Sequence, residues 1–259
     1  MPSQFTRDWF SHNIESWRRW LAELAGRPGI RALEMGSFEG RATTWLLENV
    51  LTDETSLIDC VDPFRNDYYR RFLSNIAAWR QRVTVHRGLS DKVLPTLKGA
   101  FDFIYIDGDH RPFAILSDAV HAWPRLKVGG ILVFDDYLFV PHEFDRQRDG
   151  EWTEKRARRQ IARHPAQCPK TAIDGFLTAM TGQYELLGQG YQLALRKLAD
   201  PGADLSSLTF ATVPEDRASA PGRGRRRQGS AQRPSRPKKP GEETPKRRST
   251  PSRVRRRRR

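Results

Sequence analysis

The chain has 259 residues and a net charge of +14, from 45 Lys+Arg against 31 Asp+Glu. From Pro201 onward lie 18 of the basic and 5 of the acidic residues, so residues 1–200 are near neutral at 27 against 26. The basic character therefore belongs to the tail and gives no ground for a nucleic-acid-binding fold in the body. Two cysteines, Cys60 and Cys168, are too few for a disulfide framework or a zinc knuckle. No apolar run approaches the roughly 20 residues a membrane span needs, and no signal peptide opens the chain. A soluble cytoplasmic protein with no membrane partner is expected.

Residues 5–26 place Phe10, Ile14, Trp17, Leu21 and Leu24 at helical spacing, with Gly26 and Pro28 as stop signals. Ala32–Met35 reads as a first strand, Gly36–Gly40 as a tight loop and Arg41–Val50 as a helix. Glycines at a strand-to-helix turn let a ligand approach the backbone and the free N–H groups of the helix. The G-x-G-x-x-G fingerprint is absent. Residues 55–63 make a second strand whose terminal Asp62 suits ribose hydroxyls. A helix over Asn66–Trp79, a strand over Val83–His86 and a short helix capped by Ser90 follow.

Phe103–Ile106 and Ile131–Phe134 are apolar runs of the kind that make fully buried strands. The first ends in Asp107-Gly108-Asp109-His110 and the second in Asp135-Asp136. A helix between them, with Pro112 in its first turn and Ala114, Leu116, Val120 and Trp123 as its apolar positions, makes a parallel βαβ unit. Gly129-Gly130 is read as the turn into the later strand. Open α/β sheets bind ligands beyond the carboxyl ends of their strands, which is where these acids and His110 arrive. Residues 138–170 carry many charges and little apolar periodicity, and are expected to form a lid or substrate segment. A helix over Thr171–Met180 and a β-hairpin over residues 184–196 complete the body. From Pro201 the chain has eight prolines, one aromatic and a terminal arginine run, and is expected to be a disordered basic tail.

The stretches ALEMGSFEGRATTWLL, IDCVDPF, FDFIYIDGDH and LKVGGILVFDDY, followed by KTAIDGFL and GYQLALRK, come in an order that resembles class I S-adenosylmethionine-dependent methyltransferases. More narrowly, they resemble the catechol-O-methyltransferase-like small-molecule enzymes whose fourth strand ends IDGDH. The resemblance implies a Rossmann-like, doubly wound sheet of seven strands with a C-terminal antiparallel hairpin and helices on both faces, over residues 1–200. It implies S-adenosylmethionine held by Glu34, Gly36, Ser37, Gly40, Asp62, Leu89 and Ser90, with Asp107 beside it. Metal-dependent relatives imply Mg²⁺ at Asp107, Asp135 and Asp136.

Methyl transfer from a sulfonium is an in-line displacement that needs positioning and removal of a proton. Asp107 and His110 are the candidate catalytic residues, with His142 a lesser base. The expected reaction is O-methylation of a small hydroxylated acceptor. The alternatives are methylation of RNA or another macromolecule, and a non-catalytic cofactor-binding module tethered to nucleic acid. In both, nucleic acid is engaged through the tail only. Nothing in the sequence sets the oligomeric state or the acceptor.

Overall fold

The computed structural model describes residues 4–144 and 152–200, all within one compact unit, Met1–Leu208. The expected basic tail, residues 201–259, lies outside the described residues. Seven strands form one sheet: β1 (Arg31–Met35), β2 (Leu57–Asp62), β3 (Val83–Arg87), β4 (Phe101–Ile106), β5 (Leu126–Phe134), β6 (Tyr184–Gln189) and β7 (Leu193–Lys197). Their order is β3-β2-β1-β4-β5-β7-β6, parallel through β5, with β7 antiparallel to both β5 and β6. The expected seven-stranded, doubly wound sheet with a closing hairpin is what forms.

Strand alternation divides the core into two layers. Ala32, Ile58, Cys60, Phe103, Tyr105, Ile131 and Val133 pack against α1 (Ile14–Trp20), α2 (Arg41–Asn49) and α3 (Tyr68–Asn75). Leu33, Met35, Ile104, Ile106, Leu132 and Phe134 pack against α5 (Pro112–Ala122), α6 (Glu154–Arg163) and α7 (Pro169–Ala179); the one-turn α4 (Ser90–Val93) precedes β4. Trp17, fully buried, sets its indole edge-on to Phe10, Trp45, Phe103 and Tyr105. Large aromatic burial of this kind contributes about 1.5–3 kcal/mol from area alone, a contribution that Trp17→Ala removes from the first layer.

Several elements differ from the sequence reading. The N-terminal helix is shorter, a 3-10 turn at Ser11–Asn13 followed by α1, because Asp8 accepts from the backbone N–H groups of Phe10 and Ser11 and starts the helical path only there. α3 stops at Asn75 and continues as a 3-10 stretch, Ala77–Arg82. α4 begins at Ser90 itself, so Leu89 rather than Ser90 is the N-cap. On α5 the buried positions are Ile115, Asp118, Ala119 and Ala122, while Leu116 and Val120 are exposed. β5 runs through Gly129-Gly130 instead of starting after it. A Cβ on Gly130 would stand 2.9 Å from the Lys127 carbonyl oxygen and 3.0 Å from that of Asp102, so glycine is what lets the strand pass its register shift against β4.

Candidate active site

Backbone hydrogen bonds lace the carboxyl ends of four strands into one rim. Gly36 N–H donates to the Val61 carbonyl, Asp107 N–H to Met35 and Asp135 N–H to Ile106, at 2.8, 2.8 and 2.9 Å. Asp62, Gly36, Asp107 and Asp135 thereby stand at successive positions along the edge. Gly36 has φ +90° and its missing Cβ would lie 1.8 Å from the Asp107 carbonyl oxygen. No side chain fits there, so the loop after β1 closes against β4 only with glycine. Above the rim lies a cavity of about 750 Å³, within the size range of sites for small-molecule ligands.

One end of the cavity is built around Asp62. Its Oδ2 accepts from Phe38 N–H at 2.9 Å and its Oδ1 from Phe64 N–H. Phe38 and Phe64 have φ of 47° and 46°, a conformation costly for bulky side chains. The two strained amides fix the carboxylate's orientation, and each oxygen keeps a lone pair for a ligand. Gly36, Phe38, Gly88, Leu89 and Ser90 also line this end. Trp9, 59% exposed, continues the wall through ring contacts from Trp9 to Phe38 and from Phe38 to Tyr68.

Three other residues expected at the cofactor do not line the cavity. Strand alternation turns Glu34 to the α2 side, where Thr43 Oγ1 donates to its buried carboxylate and Cys60 Sγ lies 3.5 Å away. Burial pushes the Glu34 pKa up to about 7, against the Thr43 hydrogen bond that lowers it. Ser37 is buried, and Gly40 is the left-handed residue before α2, with Phe72 3.0 Å from where a Cβ would stand.

The other end is acidic. The Tyr105 hydroxyl lies 2.5 Å from Asp135 Oδ2 and 3.0 Å from Asp107 Oδ2, and has one proton for the two carboxylates. Asp135 Oδ1 accepts from Asp136 N–H at 2.8 Å. Asp136, at φ 55°, accepts from Tyr191 on Oδ1 at 2.5 Å and faces His110 Nε2 with Oδ2 at 3.0 Å. His110 Nε2 stands 4.0 Å from Asp107 Oδ1. Burial raises the Asp107 pKa well above the usual carboxylate range, and the Asp135 and Asp136 charges add to it. Burial and Asp136 likewise hold Asp135 at about 7. For His110, burial acts downward but Asp136, by hydrogen bond and charge, more than offsets it and raises the pKa.

The structure thus brings Asp62, Asp107, His110, Asp135 and Asp136 to one cavity, with Asp107, His110 and Asp136 offering ligand atoms within 4.8 Å of one another. Asp109 turns to Arg111, whose Nε donates at 2.8 Å. His142 and Phe139 line the same end. Of the expected lid, residues 145–151 lie outside the described residues, and α6 instead buries Ala157 and Ile161 in the core. Tyr105, Tyr191, His12 and Trp9 are site residues the sequence reading missed. Alternation alone places Tyr105 on the same side of its chain segment as Asp107, two residues on; the other three come from elements distant in sequence and leave no local signal.

Residues 33–137 match the family model described as a methyltransferase domain. Over these residues the chain is similar to methyltransferase domains. An O-methyltransferase, hkm8, of Aspergillus hancockii is 29% identical to this chain over 125 residues, 47% of this chain and 48% of that one. An uncharacterized protein of Acanthamoeba polyphaga mimivirus is 24% identical over 123 residues, 45% of this chain and 56% of that one. The chain spans about half the length of these curated relatives. Among solved structures, a protein assigned as an rRNA methylase from Clostridium thermocellum superposes with TM-score 0.53 at 11% identity, over 76% of this chain and 99% of that one. A protein assigned as an O-methyltransferase from Klebsiella pneumoniae gives 0.52 at 15%, over 75% and 84%. At such identities the likeness is one of fold. Among the described residues, no helix is long and apolar enough to cross a membrane.

Proposed function

We propose that this domain transfers the methyl group of S-adenosylmethionine to an oxygen of a small hydroxylated acceptor, with a divalent cation assisting. The observation that carries the reading is one cavity with a backbone-anchored carboxylate, Asp62, at one end and the Asp107–His110–Asp136 group at the other. The O-methyltransferase of Aspergillus hancockii supports oxygen as the acceptor atom.

The cofactor fits the donor set. Asp62 has free lone pairs for two ribose hydroxyls, Gly36 and Gly88 leave backbone open at the wall, and Leu89, 51% exposed, offers an apolar face for a base. Bound there, S-adenosylmethionine supplies an activated sulfonium methyl. The chain's part is to hold the acceptor oxygen in line with that methyl and accept its proton.

A divalent cation also fits, with one change from the set expected from sequence. The ligand atoms that converge are those of Asp107, His110 and Asp136, while Asp135 accepts from Tyr105 and the Asp136 amide and is not in that group. Tyr105 and Tyr191 hold the far oxygens of Asp107 and Asp136 from behind and aim the near ones at the same point. A cation there lowers the pKa of an acceptor hydroxyl. Asp107 and Asp136 orient that hydroxyl, and Phe139 with His142 walls the acceptor from solvent.

The test is transfer of labelled methyl groups to a panel of hydroxylated small molecules, with EDTA and after addition of Mg²⁺ or Mn²⁺. Transfer lost in EDTA and restored by metal is the expected result. Undiminished turnover in EDTA removes the cation; no transfer to any hydroxylated acceptor removes the reaction.

A further inference from the structure

A second cavity, of about 620 Å³, lies between the start of α1 and the β6–β7 hairpin. It shares His12 and Tyr191 with the first, so the Tyr191 ring, whose hydroxyl holds Asp136, is a wall common to both. Gly188 lets the hairpin close on the Trp20 ring, which stands 2.5 Å from where a Cβ would be.

The chemistry of its lining is opposite to that of its neighbour. Five carboxylates line the first cavity: Asp62, Asp107, Asp109, Asp135 and Asp136. Among the described residues, no carboxylate lines the second, which instead presents Arg19 and Arg196. Arg196 is paired with Glu23 at 2.5 Å. Arg19 is exposed, makes no ion pair among the described residues, and donates from Nη2 to Ser16 Oγ at 3.5 Å. Asn13, 7% exposed, lines the cavity with a buried side-chain amide nitrogen that has no hydrogen-bond partner. A solvent-facing guanidinium with no acid beside it and a buried amide nitrogen without an acceptor both complement one kind of ligand, an anion rich in acceptor oxygens.

We propose that the second cavity binds a carboxylate carried by the methyl acceptor. The acceptor then spans both cavities, its reacting hydroxyl at Asp136 and His110 and its anionic end past Tyr191 at Arg19 and Asn13. This rests on the small-acceptor reading above and makes it narrower: the substrates are hydroxylated carboxylic acids. It also gives the acidic reaction centre a way to hold an anionic substrate, since the substrate's charge sits beyond the Tyr191 wall.

The test is isothermal titration of the full chain with 3,4-dihydroxyphenylpropanoate, its neutral amide, and acetate, alongside methyl transfer to the first two. The wild type should bind the carboxylate at least about tenfold more tightly than the amide, the size expected for a charge-assisted hydrogen bond. Arg19→Ala should abolish that preference, and Arg18→Ala, an exposed neighbour that does not line the cavity, should keep it. Equal affinities in the wild type, a preference that survives Arg19→Ala, no binding of either compound, or acetate competing at equal strength would each overturn the proposal. Methyl transfer without the preference would remove the second-cavity site and leave the proposed reaction; the preference without methyl transfer would do the reverse.

Discussion

At one end of the large cavity a single carboxylate, Asp62, takes two backbone amides; at the other, three carboxylates share two phenols, one imidazole and one amide. The first arrangement is complete in itself and offers a fixed acceptor to neutral hydroxyls. The second is short of positive charge, and burial with mutual repulsion drives its pKa values up. The same residue type at the same sheet edge therefore stands in two conditions: anchored by backbone amides at Asp62, and crowded by like charge at Asp107–Asp136.

The largest expected effect breaks the acidic end alone. Asp136→Ala removes the partner of both His110 and Tyr191, and labelled-methyl transfer should fall by roughly a thousandfold. Affinity for S-adenosylmethionine, measured on the same protein, should stay within about threefold of wild type, as expected for separate sites. A parallel loss of cofactor affinity would mean that the two ends are not separate.

A smaller effect is expected from Tyr191→Phe, which keeps the ring wall but removes the hydroxyl behind Asp136. Transfer should drop about tenfold, in the range for loss of an outer-shell partner, with a weaker response to added metal. An unchanged metal titration would show that Tyr191 does not orient Asp136.

An effect on stability, not on transfer, is expected beneath the site, at Glu34. Its folded pKa of about 7 stands above the ordinary 4.5. A carboxyl group raised on folding costs nothing below the unfolded pKa, and stability is lost as pH rises from about 4.5 to about 7. Glu34→Gln should flatten that slope, gaining about 3 kcal/mol relative to wild type at pH 8 and little at pH 4.5. Denaturant melts at the two pH values give the difference; an equal change at both would place the Glu34 effect in packing and not in charge.

The strands and the rim were legible because buried parallel strands leave unbroken apolar runs; Asp62 ends one of them, and Asp107 and Asp135 follow directly on two others. What stayed hidden has physical causes. The α5 segment carries two apolar stripes, and periodicity could not show that Ile115, Ala119 and Ala122 turn inward while Leu116 and Val120 face out. Alternation along β1 was available for Glu34, yet its place in the loop motif suggested ligand contact where the fold gives it Thr43. Tyr191 and His12 reach the site only because the hairpin and the N-terminal segment fold back to it, a long-range fact with no local trace. The second cavity is hidden for the same reason, since it joins residues 12–20 to residues 187–196.

The central claim is that Asp62 anchors S-adenosylmethionine, and the most direct measurement is isothermal titration of that cofactor into wild type, Asp62→Asn and Asp62→Ala. Wild type should bind one equivalent, with affinity falling in that order and by at least about a hundredfold in Asp62→Ala, the loss expected for two hydrogen bonds to a charged group. No binding by the wild type, or an Asp62→Ala protein that binds as tightly, would contradict the account.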